Sequence, residues 1–144
     1  MEKRSNIYDT DFFLWCNEQS ALVLNSETKG MDKENIAEEL GSMGRSDKRA
    51  LSSYLEIIVM HMLKLEAQPD YENKKGWERS IRNCRRRALK LVRESPSLKR
   101  TFEDVLREVF PDAREDASEE TGIDLSKIRD RPFTIEEVLG GTEK

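Results

Sequence analysis

The stretch from Lys48 to Gln68, KRALSSYLEIIVMHMLKLEAQ, decides the fold of this chain. Its apolar residues recur at intervals of three and four, the spacing that places side chains on one face of an α-helix. The stripe consists of Leu51, Leu55, Ile58, Met62 and Leu65, and Tyr54 and Val59 widen it. We therefore predict an amphipathic helix over this stretch, which also contains the only histidine of the chain, His61.

Upstream of this stretch the sequence predicts two further helical segments. The first runs over residues 8–25, and Asp9 or Thr10 is expected to cap its N-terminus. After a polar loop at residues 25–30, Asp32 is expected to cap the second. The stripe expected to pack inward from that second helix is Ile36, Leu40 and Met43.

Gly41 and Gly44 interrupt the second helical segment just before Lys48. Each glycine costs about 1 kcal/mol relative to alanine in a helix interior. We therefore expect a long helix that is kinked or broken near Gly44, where Ser46 or Asp47 would cap the part that continues.

Downstream, Pro69 ends the long helix because proline cannot donate to the helical ladder. A second buried stripe follows at intervals of 4, 3, 4 and 3: Trp77, Ile81, Cys84, Ala88 and Leu91. Ser95 and Pro96 then form a cap followed by proline at the first helical position. The inner face of the helix that they begin is expected to be Phe102, Val105 or Leu106, and Val109.

In the C-terminal third, the sequence predicts helices whose ends are marked by proline or glycine. Pro111 is expected to bend or divide the helix after Phe110, and Gly122 is expected to end its second part. Residues 134–137, TIEE, form a capping box for a last short helix before Gly140. No segment alternates as a strand does.

The predicted fold class is therefore all-α: a bundle of four to five main helices, one long and kinked, with a short C-terminal helix. We expect a single domain over residues 1–144, with a core at about 8–139 and flexible ends at 1–7 and 140–144. No apolar run approaches the about 20 residues that span a bilayer, and the N-terminus lacks the apolar region of a secretion signal. We expect a cytoplasmic protein without a membrane partner, with Cys16 and Cys84 reduced and buried.

The charge changes sign along the chain. Residues 1–73 carry a net charge of −6, residues 74–100 carry +9, and residues 101–144 carry −7. The acidic flanks are expected to form an ion-pair network with the basic helix between them. The alternative is nucleic-acid binding through Arg79, Arg82, Arg86 and Arg93. It is less favoured, because the isoelectric point near 5.3 is far from the basic range of nucleic-acid binders.

A polar cluster is the other site that the sequence suggests. His61, Lys64 and Gln68 share one side of the long helix at intervals of three and four. The expected ligand-binding residues are Glu38, Glu39, His61, Lys64, Gln68 and Arg85. A single histidine with no carboxylate three or four residues away is a poor metal ligand set, so we expect neither a metal nor a cofactor.

Catalysis has little support in the sequence. Neighbouring arginines would lower the pKa of the Cys84 thiol, but its place in the buried stripe favours an inert side chain. We expect no catalytic residue.

Several ordered motifs resemble those of the bacterial domain-of-unknown-function family twenty-nine. They extend from Tyr8 to Leu139 and are Tyr8–Trp15, Ile36–Ser46, Met60–Lys64 with Gln68–Pro69, Trp77–Arg85, Glu94–Leu98, Asp112–Arg114, Glu120–Gly122 and Pro132–Leu139. The resemblance implies a compact all-helical domain. It implies no established activity and no catalytic residues.

We expect a non-catalytic protein-interaction or regulatory module, which binds another protein or a second copy of itself. The alternative is a ligand-, metal- or nucleic-acid-binding protein, or an enzyme, with a polar site around His61, the Glu38 and Glu39 pair and the arginine-rich helix.

Overall fold

The structure, a computed structural model, describes residues 7, 9–25 and 33–140. The main helices are α1 (Phe12–Asn25), α2 (Lys33–Ala67), α3 (Lys74–Glu94), α4 (Phe102–Thr121) and α5 (Ile135–Leu139). Two 3₁₀ segments, Pro96–Thr101 and Leu125–Lys127, lie between them. No strand occurs in the described residues, which confirms the all-α class. The predicted loop after Asn25 and the predicted cap Asp32 lie outside the described residues.

The chain divides into two compact units. The first unit consists of Met1–Ala50 and Leu91–Arg100, and the second consists of Leu51–Lys90 and Thr101–Lys144. Helix α2 contributes its first half to the first unit and its second half to the second. That residues 1–144 form a single domain stays a prediction.

Helix α1 is capped by a different residue from the two expected. The Leu14 N–H donates to Asp11 Oδ1 at 3.0 Å, three residues on, which is the geometry of an N-terminal cap. Asp9 and Thr10 lie in helical conformation before this cap. The cap prediction was therefore displaced by one or two residues, because three oxygen-bearing side chains stand at 9–11 and only tertiary contacts select among them.

Those tertiary contacts form a buried polar cluster around Asp11 in the first unit. The Ser97 N–H donates to Asp11 Oδ2 at 2.5 Å, and the Ser97 hydroxyl donates to Asp11 Oδ1 at 2.7 Å. The Phe13 N–H donates to the Ser95 hydroxyl at 3.1 Å. Asp11, Ser95 and Ser97 are all buried. The cluster ties the start of α1 to the 3₁₀ segment that begins at Pro96.

The first half of α2 packs against α1 through small residues. Gly44 lies so close to α1 that an added Cβ would stand 3.3 Å from Cys16 Cβ. The Ser20 hydroxyl donates to the Ala37 carbonyl at 3.0 Å. Ala37, Gly41 and Gly44 are buried and lie on one face of the helix. The glycines thus permit a close helix–helix approach.

This packing overturns the predicted inward stripe of α2. Ile36 is 38% exposed and Met43 is 48% exposed, and Leu40 between them is partly exposed. These side chains stand beside the small-residue face, and it is the small-residue face that makes the close contact with α1. We call Ile36, Leu40 and Met43 the outer stripe.

Helix α2 continues without interruption through both glycines as a single helix of 35 residues. The long-helix prediction is confirmed. Neither Ser46 nor Asp47 begins a new helix. Contacts with α1 offset the glycine penalty of about 1 kcal/mol each.

In the second unit, the second half of α2 supplies most of the core. Leu51, Leu55, Ile58, Val59 and Leu63 are 0–1% exposed. Burying one such side chain contributes about 1.5–3 kcal/mol. Met62 and Leu65, which were expected in the buried stripe, are only partly buried. Burial of Val59 and Leu63 shifts the inner face of the helix toward them.

Helices α3 and α4 complete this core largely as predicted. Ile81, Cys84 and Ala88 are buried, and Trp77 at the start of the same stripe is partly buried. The inner residues of α4 are Phe102, Val105, Leu106, Val109, Phe110, Ala113 and Ala117. Pro111 does not divide α4, because it is exposed while buried residues before and after it hold both halves in one helix. Gly122 ends α4 in the left-handed conformation at φ 76°, as predicted.

The C-terminal segment is fixed by a capping box and by two arginines. Thr134 and Glu137 form the predicted box at the start of α5, and Gly140 ends the helix at φ 99°. Arg114 of α4 donates to the carbonyls of Leu125, Ile128 and Arg129 at 2.8–3.0 Å. Arg85 of α3 donates to the carbonyls of Glu137 and Val138.

Candidate binding site

His61 and Lys64, two of the predicted ligand-binding residues, meet at an aromatic pair in the second unit. The His61 and Trp77 ring centroids are 6.5 Å apart, and Tyr71 stacks on Trp77 at 4.6 Å with an interplanar angle of 10°. Lys64 Nζ lies 5.2 Å from the Trp77 ring centroid, within the range of a cation–π contact. The same ammonium forms an ion pair with Glu120 of α4. We call this set the histidine cluster.

Lys64 is a buried cation, only 4% exposed, while the side chain of Glu120 is 54% exposed. Because burial of an unpaired ammonium is strongly unfavourable, the Glu120 carboxylate and the Trp77 ring are what permit Lys64 to lie inside. The sequence identified Lys64 as a candidate ligand-binding residue but did not indicate that it is buried. It did not identify Glu120 or Tyr71, since nothing local marks a partner 56 residues away.

His61 is electrostatically disfavoured as an imidazolium. Burial lowers its pKa, and the Lys64 charge lowers it further, although the Glu120 carboxylate acts in the opposite direction. Its Nδ1 atom is buried and has no hydrogen-bond partner among the described residues. The neutral form of His61 is therefore the one that the fold favours at neutral pH.

The other predicted ligand-binding residues do not all join this cluster. Glu38 and Glu39 are exposed in the first unit, where Glu38 pairs with Arg45. The backbone N–H of Gln68 donates to the Lys64 carbonyl at the end of α2. Arg85 is partly buried and holds the C-terminus of α5. A single site built from all six residues stays a prediction.

Arg85 lines a cleft of about 700 Å³ in the second unit. Its lining residues are Met62, Leu65, Glu66, Arg85, Arg129, Phe133, Glu136, Glu137 and Gly140. Arg129 bridges the cleft, since it lies 3.1 Å from Glu66 and 3.6 Å from Glu137, and its guanidinium stands 4.0 Å from the Phe133 ring centroid. The cleft is therefore lined by apolar side chains together with side chains of both charges. His61 and Lys64 do not line it.

Within the described ranges, the basic helix does not make the ion-pair network that we expected. None of the ion pairs found in the described part of the chain includes a residue of α3. Arg86 donates to Asn83 at 2.9 Å on the same helix. The predicted nucleic-acid-binding residues Arg79, Arg82, Arg86 and Arg93 are all exposed. Among these residues the expected network is not present, because opposite net charge along the sequence does not determine which faces meet in space.

Lys75, Arg79, Arg82, Arg86 and Lys90 lie along one face of α3 within the second unit, and all five are exposed. Their intervals of 4, 3, 4 and 4 keep them on one side of the helix, opposite the buried stripe. We call these five residues the basic face. Arg93 is exposed in the first unit.

Both cysteines are buried and free. Burial raises the pKa of the Cys84 thiol, and the lowering effect of Arg87 is the smaller of the two causes. Burial and the Asp47 carboxylate raise the pKa of Cys16. Neither thiol has the lowered pKa of a reactive cysteine.

Among the residues placed by the structure, no three His, Cys, Asp or Glu side chains form a group that could hold a metal ion.

These features define a class: an all-α protein with a polar histidine cluster, a mixed-charge cleft and a basic helix face. More particularly, the chain belongs to the family described as Domain of unknown function DUF29, whose model matches residues 7–142. This is the family that the sequence motifs resembled. No helix within the described ranges is long and apolar enough to cross a membrane.

The fold is also similar to the crystal structure of an alpha-helical protein of unknown function from Rhodospirillum rubrum ATCC 11170. The TM-score is 0.65 at 21% sequence identity, and the match covers 90% of this chain and 87% of that chain. At this identity the similarity supports the fold alone. No curated protein matches the chain.

Proposed function

We propose that this protein is a non-catalytic protein-interaction module, and that its partner docks on the basic face of α3. The observation that carries the proposal is that all five cations of this face are exposed and that no carboxylate of the described residues pairs with them. A row of unneutralised like charges attracts and orients an oppositely charged surface.

A protein partner is favoured over nucleic acid for two reasons. The chain has a net charge of −4, whereas domains that bind nucleic acid are typically basic overall. The outer stripe of α2 also exposes Ile36 and Met43 on one helix face, and exposed apolar groups in a row are typical of protein contacts. Cytoplasmic location is part of the same proposal.

The experiment compares the proteins that associate with three forms of the chain in cells where it is native. The test variant is Arg79→Glu/Arg82→Glu/Arg86→Glu. The control is Lys99→Glu/Arg100→Glu/Lys127→Glu, which makes the same change in charge at exposed positions outside the basic face. We expect the wild type and the control to retain a stoichiometric partner protein at about 50 mM salt, and the test variant to lose it. An identical set of associated proteins for all three forms would refute the proposal.

Small-molecule binding in the cleft is a second candidate function. It is supported by the 700 Å³ volume and by Arg85, a predicted ligand-binding residue that lines it. The test is native mass spectrometry of the chain purified from its own cells, beside a Met62→Trp variant that fills the cleft. A bound mass present on the wild type and absent from the variant would support this function. The same spectrum for both would exclude it.

A further inference from the structure

An acidic face on α4 has the same spacing as the basic face of α3. Asp104, Glu108, Asp112, Glu115 and Glu119 are all exposed and lie on one side of the helix. Their intervals are 4, 4, 3 and 4, and read from the C-terminal end they are 4, 3, 4 and 4. The basic face has the intervals 4, 3, 4 and 4 from its N-terminal end. We call these five residues the acidic face.

This match has a geometric consequence. Two helices that lie side by side in opposite directions present their faces in reversed order. An antiparallel arrangement of the two faces therefore aligns five cations with five carboxylates. The aligned pairs are Lys75 with Glu119, Arg79 with Glu115, Arg82 with Asp112, Arg86 with Glu108, and Lys90 with Asp104.

The two faces do not neutralise each other within one molecule. None of the ion pairs that join described residues connects α3 to α4. Asp104 pairs with Arg107 on its own helix. The other four carboxylates of the acidic face pair with no described cation. Each face is therefore open to another molecule.

We propose that the partner of the basic face is a second copy of this chain, docked antiparallel through its acidic face. This inference rests on the proposed function and names its partner. The contact consists of exposed charges that are individually weak and are screened by salt, so the association is reversible and depends steeply on ionic strength. It joins unlike surfaces of the two copies, which distinguishes it from contacts between identical patches.

The experiment is sedimentation velocity of the purified chain from about 20 to 500 mM salt, with two charge-reversed variants. The basic-face variant is Arg79→Glu/Arg82→Glu/Arg86→Glu, and the acidic-face variant is Glu108→Lys/Asp112→Lys/Glu115→Lys. We expect the wild type to associate with itself at low salt. The affinity of this association should fall at least tenfold at 500 mM salt. Each variant alone is expected to be monomeric, and an equimolar mixture of the two is expected to associate. The control Lys99→Glu/Arg100→Glu/Lys127→Glu should behave as the wild type, and circular dichroism should show all forms equally helical.

Three results would overturn the inference. The first is a wild type that stays monomeric at low salt up to millimolar concentration. The second is a mixture of the two variants that stays monomeric. The third is a low-salt assembly that contains nucleic acid and disperses with nuclease, which would assign the basic face to nucleic acid instead. A monomeric wild type whose basic-face variant nevertheless loses another cellular protein would remove the second copy and leave the proposed function standing.

Discussion

Two polar clusters of this protein differ in how fully their buried groups are satisfied. Around Asp11 in the first unit, the carboxylate accepts from the Leu14 N–H, the Ser97 N–H and the Ser97 hydroxyl. In the histidine cluster of the second unit, Lys64 pairs with Glu120, but His61 Nδ1 is buried without a partner among the described residues. The carboxylate of the first cluster accepts from two backbone N–H groups, whereas the second cluster joins side chains only to each other.

The difference separates structural polar groups from adjustable ones. A carboxylate that satisfies two backbone N–H groups cannot be removed without leaving buried donors unpaired. A lysine paired with a half-exposed glutamate leaves behind a group that water can solvate. We therefore expect changes in the Asp11 cluster to act mainly on stability, and changes in the histidine cluster to act mainly on protonation.

The largest effect is expected for Asp11→Ala. The change removes the cap of α1 and leaves the Leu14 and Ser97 donors without their acceptor, so the free energy of unfolding should fall by about 3 kcal/mol. Urea denaturation followed by circular dichroism measures this loss. Asp9→Ala, at an exposed carboxylate two residues earlier, is the control and should change stability by less than about 0.5 kcal/mol. A loss of under about 1 kcal/mol for Asp11→Ala would contradict the conclusion that changes in the Asp11 cluster act mainly on stability.

Ser97→Ala should have a smaller effect, a loss of about 1 kcal/mol, because the Ser97 N–H still donates to Asp11 Oδ2 when the hydroxyl is gone. The double variant Asp11→Ala/Ser97→Ala sharpens the test. Since the two side chains share one hydrogen bond, the double variant should lose less than the sum of the single losses. Additive losses in urea denaturation would mean that the two side chains act independently.

Lys64→Met should change the free energy of unfolding by less than about 0.5 kcal/mol. Glu120 is half exposed and can be solvated, and methionine keeps an apolar stem near Trp77. The pKa of His61 should rise, because one of the charges that lowers it is removed. An NMR titration of the single histidine measures this directly. An unchanged or lowered pKa of His61 would contradict the geometry of the cluster.

His61→Phe should leave the free energy of unfolding at pH 7 nearly unchanged. It should also remove the part of the loss of stability at low pH that is caused by protonation of His61. Because the pKa of His61 is lowered in the fold, the unfolded chain binds a proton first as the pH falls below about 6.5, and the wild type loses stability there. The difference in unfolding free energy between wild type and variant isolates this effect, since both share the carboxyl groups. The expected result is a difference that grows in favour of the variant between about pH 7 and pH 5. A difference that stays constant between pH 7 and pH 5 would mean that His61 does not contribute to the pH dependence of stability.

Residues within one helix were predicted well. Ile81, Cys84 and Ala88 of α3 and Phe102, Val105 and Val109 of α4 are buried as expected. The capping box at Thr134 and the terminating glycines Gly122 and Gly140 are also where the sequence placed them. These features depend on helical periodicity and on interactions between residues at most a few positions apart, which the sequence states directly.

Contacts between distant residues were predicted poorly. The sequence suggested an inward stripe at Ile36, Leu40 and Met43, yet the structure turns the small residues Ala37, Gly41 and Gly44 toward α1. Hydrophobicity alone favoured the larger side chains, whereas the close approach of two helices favours the smallest ones. In the same way, the charge pattern suggested a network for α3 that the described ion pairs do not include.

The sequence by itself determined the all-α class, the extent of most helices and the two regularly spaced charged faces, because these follow from local periodicity and composition. The family was indicated separately, by the resemblance of ordered motifs along the chain. Only the tertiary structure decided that Asp11 rather than Asp9 or Thr10 caps α1, that Lys64 finds Glu120, and that Arg85 holds the end of α5. Each of these is a contact between groups whose partners the chain brings together by folding. The physical reason is that a polar side chain has many partners of suitable chemistry along a chain with 38% charged residues, and only packing of the apolar faces selects one.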